Sequence, residues 1–176
     1  RLAKDTLGVK LNGSSEITDF RLPIPDQCQV EIVTVKSADA NEVIRHSAAH
    51  VMAQAVQMIW PDVKVTIGPV IEDGFYYDFD SSRTFSEEDF VLIEKKMAEI
   101  VQNDYPLVRE VWPSGKAIDI FQGMNERFKV EIIRDLVEKG EKNVSIYHQG
   151  PWFDLCRGPH VQSTGQIKAF KVLAVA

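Results

Sequence analysis

Two short runs hold the residue types of a reactive or metal-binding centre: His46-Ser-Ala-Ala-His50 and Cys156-Arg-Gly-Pro-His160. Residues four apart on a helix lie on one face, so His46 and His50 can address a single point. At about 100° per residue they sit some 40° apart around the axis. Cys156 and His160, separated by a Gly-Pro turn, can close on that point from a loop. The four side chains have the types and the number of a tetrahedral zinc site. They also use three of the four histidines and one of the two cysteines in the chain. The blander alternative is a pair of satisfied polar groups in a packed helix, with Cys156 as a small core hydrophobe.

The histidine pair needs a helix, and the sequence supplies one from about Asp39 to Trp60, stopped by Pro61. Ile44, Ala48, Val51, Met52, Ala55 and Ile59 form its main apolar stripe. His46, His50 and Gln57 lie opposite, flanked by Ala49, Ala53 and Val56. A helix this apolar all round must be covered on both sides, which places the histidines in a lined surface. Val63 to Ile71 and Gly74 to Asp80 read as a strand pair around Glu72-Asp73-Gly74. A second helix begins at Ser86, with Asp89 positioned for a capping box and Phe85 and Phe90 for a staple, and ends near Tyr105-Pro106. A strand at Leu107 to Trp112, helices near Gly115 to Met124 and Arg127 to Lys139, and strands at Asn143 to His148, Trp152 to Cys156 and Ile167 to Val175 complete the chain. The irregular mixture predicts an α+β fold, a largely antiparallel sheet packed with a long central helix.

Residues 1–36 read as three short strands and turns, with an Asn12-Gly13 hairpin signal and an alternating strand at Gln29 to Val35. They are too few to close a core alone. This gives a partial β domain at 1–36, a linker at 37–41 and a main domain at 42–176. The first residue is Arg rather than Met, which reads as a fragment. The 176 residues include 20 basic and 26 acidic side chains, a net charge of −6. Such a balance excludes broad coating of a phosphate backbone, because that affinity comes from Lys and Arg. A nucleic acid would be held at an end or through few contacts. Cys28 and Cys156 make no disulfide framework, so a reducing, cytoplasmic setting is expected. No apolar run reaches a membrane span and no signal peptide is visible, so no membrane partner is expected.

Ile44-Arg-His-Ser-Ala-Ala-His50-Val-Met-Ala, Ile67-Gly-Pro-Val-Ile71, Gly74-Phe-Tyr-Tyr-Asp78 and Asp154-Leu-Cys-Arg-Gly-Pro-His160 closely resemble the amino-terminal editing region of threonyl-tRNA synthetases. The resemblance covers about residues 40 to 176, and residues 1–36 resemble the latter part of a TGS-type β-grasp domain. The four-ligand pattern is shared with the alanyl branch. The Gly-Phe-Tyr-Tyr-Asp block, the Arg127-Phe-Lys129 segment and the upstream β fragment select the threonyl one. The resemblance implies a deacylase domain of an ATP-using class II ligase that hydrolyses seryl-tRNA(Thr), with the tRNA 3′ end carrying serine as partner. It also implies a homodimer for the full-length enzyme, with this fragment expected as a monomer.

The same resemblance assigns roles. His46 and Lys129 match positions credited with orienting or activating the attacking water, and a lysine there can hold a developing oxyanion. His50, Cys156 and His160 would line the pocket around the seryl group and terminal adenosine. Asp154 would accept hydrogen bonds from the seryl amine or hydroxyl, and Tyr77 would crowd out the threonyl methyl. On the residues alone, Lys129 reads as a solvated helix lysine and Tyr77 equally as a core aromatic. Cys28 reads as a core residue, and Glu87, Glu88, Glu94 and Glu99 as solvated surface. Zinc divides spacing from family: the alanyl relatives bind it with these four residues, whereas the threonyl branch needs no cofactor for editing. Two other functions compete. One is a zinc-dependent hydrolase of a free small molecule, which activity restricted to tRNA-linked esters would exclude. The other is a non-catalytic tRNA-binding module, against which the His and Cys cluster argues.

Overall fold

The computed structural model describes residues 2–175. A helical turn, α1 (Leu2–Asp5), leads into β1 (Thr6–Leu11), which pairs antiparallel with β2 (Val30–Thr34). Asn12 and Gly13 turn the chain with positive φ of 52° and 74°. The third short strand expected here is reduced to a single bridge between Val9 and Thr18. Leu7, Ile17 and Val33 share one apolar cluster with Ala40, Val43, Leu107 and Val161, so this segment packs on the remainder of the chain.

The long helix α2 spans Ala40–Ile59, so residues 40 and 41 already belong to its first turn. One side, with Ala48, Val51 and Ala55, packs on the next helix, and Ala49 and Ala53 pack on Val65 and Tyr77. Both sides are covered, as the all-round apolar sequence requires. The strand pair that follows is two short ladders: β3 (Lys64–Val65) with β6 (Phe79–Asp80), and β4 (Val70–Ile71) with β5 (Gly74–Phe75). The continuous strands expected here break at Gly68-Pro69. Pro69 has no N–H to donate. The Tyr77 ring approaches Gly68 so closely that a Cβ there would lie 2.2 Å from it.

Helix α3 (Glu87–Gln102) starts as predicted, with Asp89 Oδ2 accepting the Ser86 backbone N–H at 2.8 Å. Its Ile93, Met97 and Ile100 meet α2. It ends before the expected Tyr105, and Asp104 has a φ of 48°. Strand β7 (Leu107–Pro113), helices α4 (Ser114–Gly123) and α5 (Arg127–Glu138), and strands β8 (Asn143–Gln149) and β9 (Trp152–Leu155) follow. The sheet order is β7-β8-β9, all antiparallel. Its two faces separate by parity. Trp112, Val144, Ile146, Phe153 and Leu155 cover α4 and α5 through Ala117, Phe121, Val130 and Ile133. Leu107, Tyr147, Gln149 and Asp154 point the other way.

Every strand pair among the described residues is antiparallel, and the fold is α+β. The last expected strand, Ile167 to Val175, does not form. After a 3₁₀ turn (Thr164–Gln166), Ile167, Phe170 and Val172 instead lie on the α2–α3 cluster. There the Val172 N–H is satisfied by Glu94 Oε1 at 2.9 Å rather than by a ladder. Glu94 is therefore half-buried, whereas Glu87, Glu88 and Glu99 are exposed. Cys28 also departs from expectation. It is only half-buried, flanked by the exposed residues 23–27 and 29–32, which give it no core to enter. No helix of the described residues is long and apolar enough to cross a membrane.

Candidate active and metal-binding site

Helix α2 presents His46 and His50 one turn apart, and the turn after β9 brings Cys156 and His160 to them. One donor atom from each of the four lies within 4.8 Å of the others. Cys156 Sγ is 3.2 Å from His46 Nε2 and 3.2 Å from His160 Nε2. The His160 ring lies 4.2 Å from that of His46 and 4.3 Å from that of His50, centroid to centroid.

The outer nitrogens fix the tautomers. His46 Nδ1 lies 3.1 Å from the Pro159 carbonyl, which can only accept, so it carries the proton. Ser47 Oγ donates to the Val43 carbonyl at 2.9 Å. It therefore accepts from His160 Nδ1 at 3.1 Å and from the Val161 N–H at 3.0 Å. Both neutral imidazoles thus aim Nε2 lone pairs at one sulfur, and a thiol has only one proton to share between them. A cation would satisfy all three atoms. Ligands whose other ring nitrogen is held by a carbonyl or hydroxyl are what metal centres use. Donor atoms around a tetrahedral zinc are about 3.3–3.7 Å apart, from its bond lengths of roughly 2.0–2.3 Å. The 3.2 Å separations of Cys156 Sγ from the His46 and His160 Nε2 atoms are close to these values, whereas the widest separation in the set, 4.8 Å, would have to close by about 1 Å to hold such an ion.

Burial sets the charge states. His50 and His160 are held well below the ordinary histidine range, first by loss of water and then by the neighbouring imidazoles. His46 is lowered less, because the Pro159 carbonyl and Asp154 oppose its burial. Burial pushes the Cys156 thiol up to about 12, so without a metal it stays protonated and is a poor nucleophile.

A second group faces this cluster. Lys129, expected on the residues alone to be a solvated lysine, is 2% exposed. Its Nζ lies 2.7 Å from Asp154 Oδ1 and 2.9 Å from Oδ2, and donates to Tyr77 Oη at 3.2 Å. Tyr77 Oη in turn donates to Asp154 Oδ2 at 2.8 Å. Burial and the Asp154 charge keep that phenol protonated. Lys129 can occupy this position because α5 turns Val130 and Ile133 into the α4–α5 core and leaves Lys129, Ile132 and Leu136 facing a cavity.

The cavity has a volume of about 610 Å³, and its walls include His46, His50, Tyr77, Lys129, Asp154 and Cys156. Six of the seven singled-out residues therefore meet in one space. His160, fully buried, stands behind Cys156 and the two other imidazoles rather than on the wall. Arg109 and Val111 of β7 complete the wall, on the parity that faces α2.

Several contacting side chains carry no sequence signal of their own. Ser47 offers a weak one, a mid-helix serine free to bond back to its own helix. Trp152 Nε1 donates to Gln57 Oε1 at 2.7 Å, and Gln57 Nε2 donates to Glu126 Oε1 at 2.7 Å. Burial raises the Glu126 carboxyl. Asp19, Arg21 and Tyr147 back the Cys156–His160 turn from the N-terminal segment and β8.

Known proteins resemble this chain along its length. A sequence-family profile described as the threonyl and alanyl tRNA synthetase second additional domain matches residues 144–175, which include β8, β9 and the Cys156–His160 turn. A threonine–tRNA ligase of Bdellovibrio bacteriovorus is 67% identical over 177 residues, covering 100% of this chain and 27% of that protein. Threonine–tRNA ligases of Thiobacillus denitrificans and Maricaulis maris are 51% and 52% identical over 176 residues, covering 99% of this chain and 27% of each relative. The chain thus spans about a quarter of the length of the curated relatives it matches.

Proposed function

This chain is a homologue, along its whole length, of part of the threonine–tRNA ligases, and we propose that it is their editing deacylase, hydrolysing the ester of seryl-tRNA(Thr) to serine and tRNA. The observation that carries this reading is the single cavity in which an uncharged His46 faces a buried Lys129–Asp154–Tyr77 group. The physical need is clear. Serine lacks only the methyl of threonine, and one methyl gives a binding pocket about 1–3 kcal/mol, or roughly 10–200-fold discrimination. A second site too small for threonine applies the discrimination again.

An ester linked to a ribose is intrinsically labile, so a positioned water suffices. His46 Nε2 takes a proton from that water as its oxygen attacks the seryl carbonyl carbon. Lys129 Nζ donates to the oxygen on which negative charge develops. The ester bond breaks toward the ribose, and the proton on His46 passes to the departing hydroxyl. Asp154 holds the seryl amine or hydroxyl, and Tyr77 occupies the space a threonyl methyl would need. His50 and Cys156 line the seryl pocket, with His160 fixing Cys156 from behind. The tRNA 3′ end is the partner, held by few contacts, as a net charge of −6 requires. The N-terminal 1–36 segment is read as the partial TGS-type domain, 37–41 as its connection and 42–176 as the editing domain.

The four converging donors favour a second reading, a zinc-dependent deacylase of the alanyl type. His46, His50, Cys156 and His160 would hold the ion, which would supply Lewis acidity toward water. Four protein ligands close a tetrahedral site, however, and catalytic zinc keeps one position open. Bound zinc would also take the Nε2 lone pair that His46 needs as a base. Hydrolysis without metal is therefore the preferred reading. Seryl-tRNA, threonyl-tRNA and a free seryl ester incubated with the chain, with and without chelator, test it. Selective loss of seryl-tRNA that survives the chelator is expected. Turnover of the free ester alone, or activity abolished by the chelator, would overturn it.

A further inference from the structure

The Cys156–His160 turn is held from the far side of the molecule. Asp19, 2% exposed, directs its carboxylate at the turn. Its Oδ2 accepts from Tyr147 Oη at 2.6 Å and from the His160 N–H at 3.4 Å. Arg21 Nη1 donates to the His160 carbonyl at 3.2 Å, and Nη2 donates to the Val161 carbonyl at 2.8 Å. Nη1 also bridges to both Asp19 oxygens, at 3.2 and 3.1 Å, and the Arg21 N–H caps Oδ1 at 2.8 Å. One carboxylate and one guanidinium therefore grip both polar groups of His160's backbone. The fit leaves no slack. Gly158 has a φ of +79°, and a Cβ there would lie 2.2 Å from Tyr147 Oη and 3.1 Å from Asp19 Oδ2. The Tyr147 ring also stands against the His160 imidazole, 4.6 Å between centroids.

Asp19 and Arg21 are themselves anchored. Ile17 is buried in one cluster with Val161, and Thr18 is bridged to Val9 of β1. The grip thus runs from the N-terminal β segment to the backbone of a residue whose ring touches Cys156. A guanidinium suits this task because its planar fork reaches two carbonyls at once and stays charged.

We infer that Asp19, Arg21 and Tyr147 are positioning residues of the hydrolytic site: the N-terminal segment sets the placement of His160 and Cys156 against the α2 histidines. This rests on the deacylase reading only for its catalytic consequence, since the placement itself is a property of the free chain. Hydrogen-bonding partners behind metal-ligating side chains typically contribute about 10–100-fold to activity, and the same scale is expected for the partners behind this His and Cys cluster. The contribution falls mainly on kcat, because these side chains do not line the cavity and act through Cys156 Sγ on His46 Nε2, 3.2 Å away, the nitrogen read as the base.

The test compares wild type with Asp19→Asn, Arg21→Met and Tyr147→Phe in the same 176-residue chain. Lys10→Met serves as control, removing an N-terminal ion pair whose lysine reaches Asp39 rather than the turn. Two readouts are needed: imidazole nitrogen chemical shifts of His160, and steady-state deacylation of seryl-tRNA. The expected result is a shifted or broadened His160 signal in the three variants, with kcat about 10–100-fold lower, KM within about twofold, and the control unchanged. If wild type does not hydrolyse seryl-tRNA, the deacylase reading fails while the His160 signal still decides the positioning. Unchanged His160 signals in all folded variants would overturn the inference, as would a KM effect without a kcat effect. Tyr147→Phe removes a single oxygen and keeps the ring, so it decides the outcome if Asp19→Asn does not fold.

Discussion

Lys129 Nζ lies 2.7 Å from Asp154 Oδ1, with 3% of one side chain and 1% of the other exposed. Tyr77 closes the group as donor to one and acceptor from the other. A charge pair sealed from water in this way is held by mutual need, because either partner alone would be a buried, uncompensated charge. Lys129 and Asp154 therefore carry structural weight as well as any catalytic role.

Lys129→Met should lower unfolding stability by about 3–5 kcal/mol, whereas Lys129→Met with Asp154→Leu should recover most of that loss. If the ammonium acts on the developing oxyanion as proposed, the single variant should lose about 10²–10³ in kcat and in kcat/KM together, and the double variant should in addition show a raised KM from the loss of Asp154. Urea unfolding and steady-state kinetics on seryl-tRNA check the two halves separately. A raised KM with unchanged kcat would reassign Lys129 to a phosphate or ribose contact.

Substitutions at Tyr77 test selectivity apart from chemistry. Tyr77→Ala should let threonyl-tRNA be hydrolysed while seryl-tRNA turnover changes less, because removing a clash benefits only the substrate that clashed. Tyr77→Phe, which keeps the ring against Gly68 and Phe79, should leave threonyl-tRNA excluded. Equal losses on both substrates in the alanine variant would make Tyr77 a packing residue only.

The buried histidines predict acid sensitivity. His50 and His160 are depressed below the ordinary value near 6.5. Above that pH they are neutral folded or unfolded, and contribute no slope. As pH falls below 6.5 the unfolded chain binds protons that the folded chain does not, so stability falls. The slope is up to about 1.4 kcal/mol per pH unit for each histidine until its folded value is reached. Unfolding free energy measured from pH 7 to 5 should show this decline, and His50→Gln should flatten it. A flat profile over that window would mean the imidazoles are not held neutral.

Zinc should bind and should inhibit. Added zinc is expected to raise the melting temperature, by about 2.7 kcal/mol of stabilisation at one hundred times its dissociation constant. It should also lower deacylation by occupying His46 Nε2. Cys156→Ser should weaken both effects, since an alcohol is a poor substitute for a thiolate ligand. Stimulation by zinc would instead favour the metal-dependent reading.

Much of this arrangement is legible in the sequence because its signals are local. The i, i+4 histidines, the Pro61 stop, the Ser86–Asp89 cap and the strand parity each declare themselves within a few residues. What stays hidden is long-range. The burial of Lys129 depends on how α5 meets the sheet. The Asp19–Arg21 grip joins positions about 140 apart in sequence. The C-terminal strand fails for the converse reason. Residues 167–175 have strand-like composition, but α2 and α3 offer an apolar surface and Glu94 an acceptor where a ladder would need a neighbour.

Tyr147 and Asp154 are directly paired across β8 and β9, one backing the His160 turn and the other holding Lys129. Phe153 and Leu155, on either side of Asp154, belong to the opposite face and the α4–α5 core. A single residue added to or lost from the Gly150-Pro151 turn would reverse that parity, presenting a phenylalanine or leucine to Lys129 and a carboxylate to the core. Loop length is ordinarily the most freely varied property of a protein surface. In this molecule the shortest loop of the sheet acts as a frame-keeper, and homologues that share the chemistry should share its length to the residue.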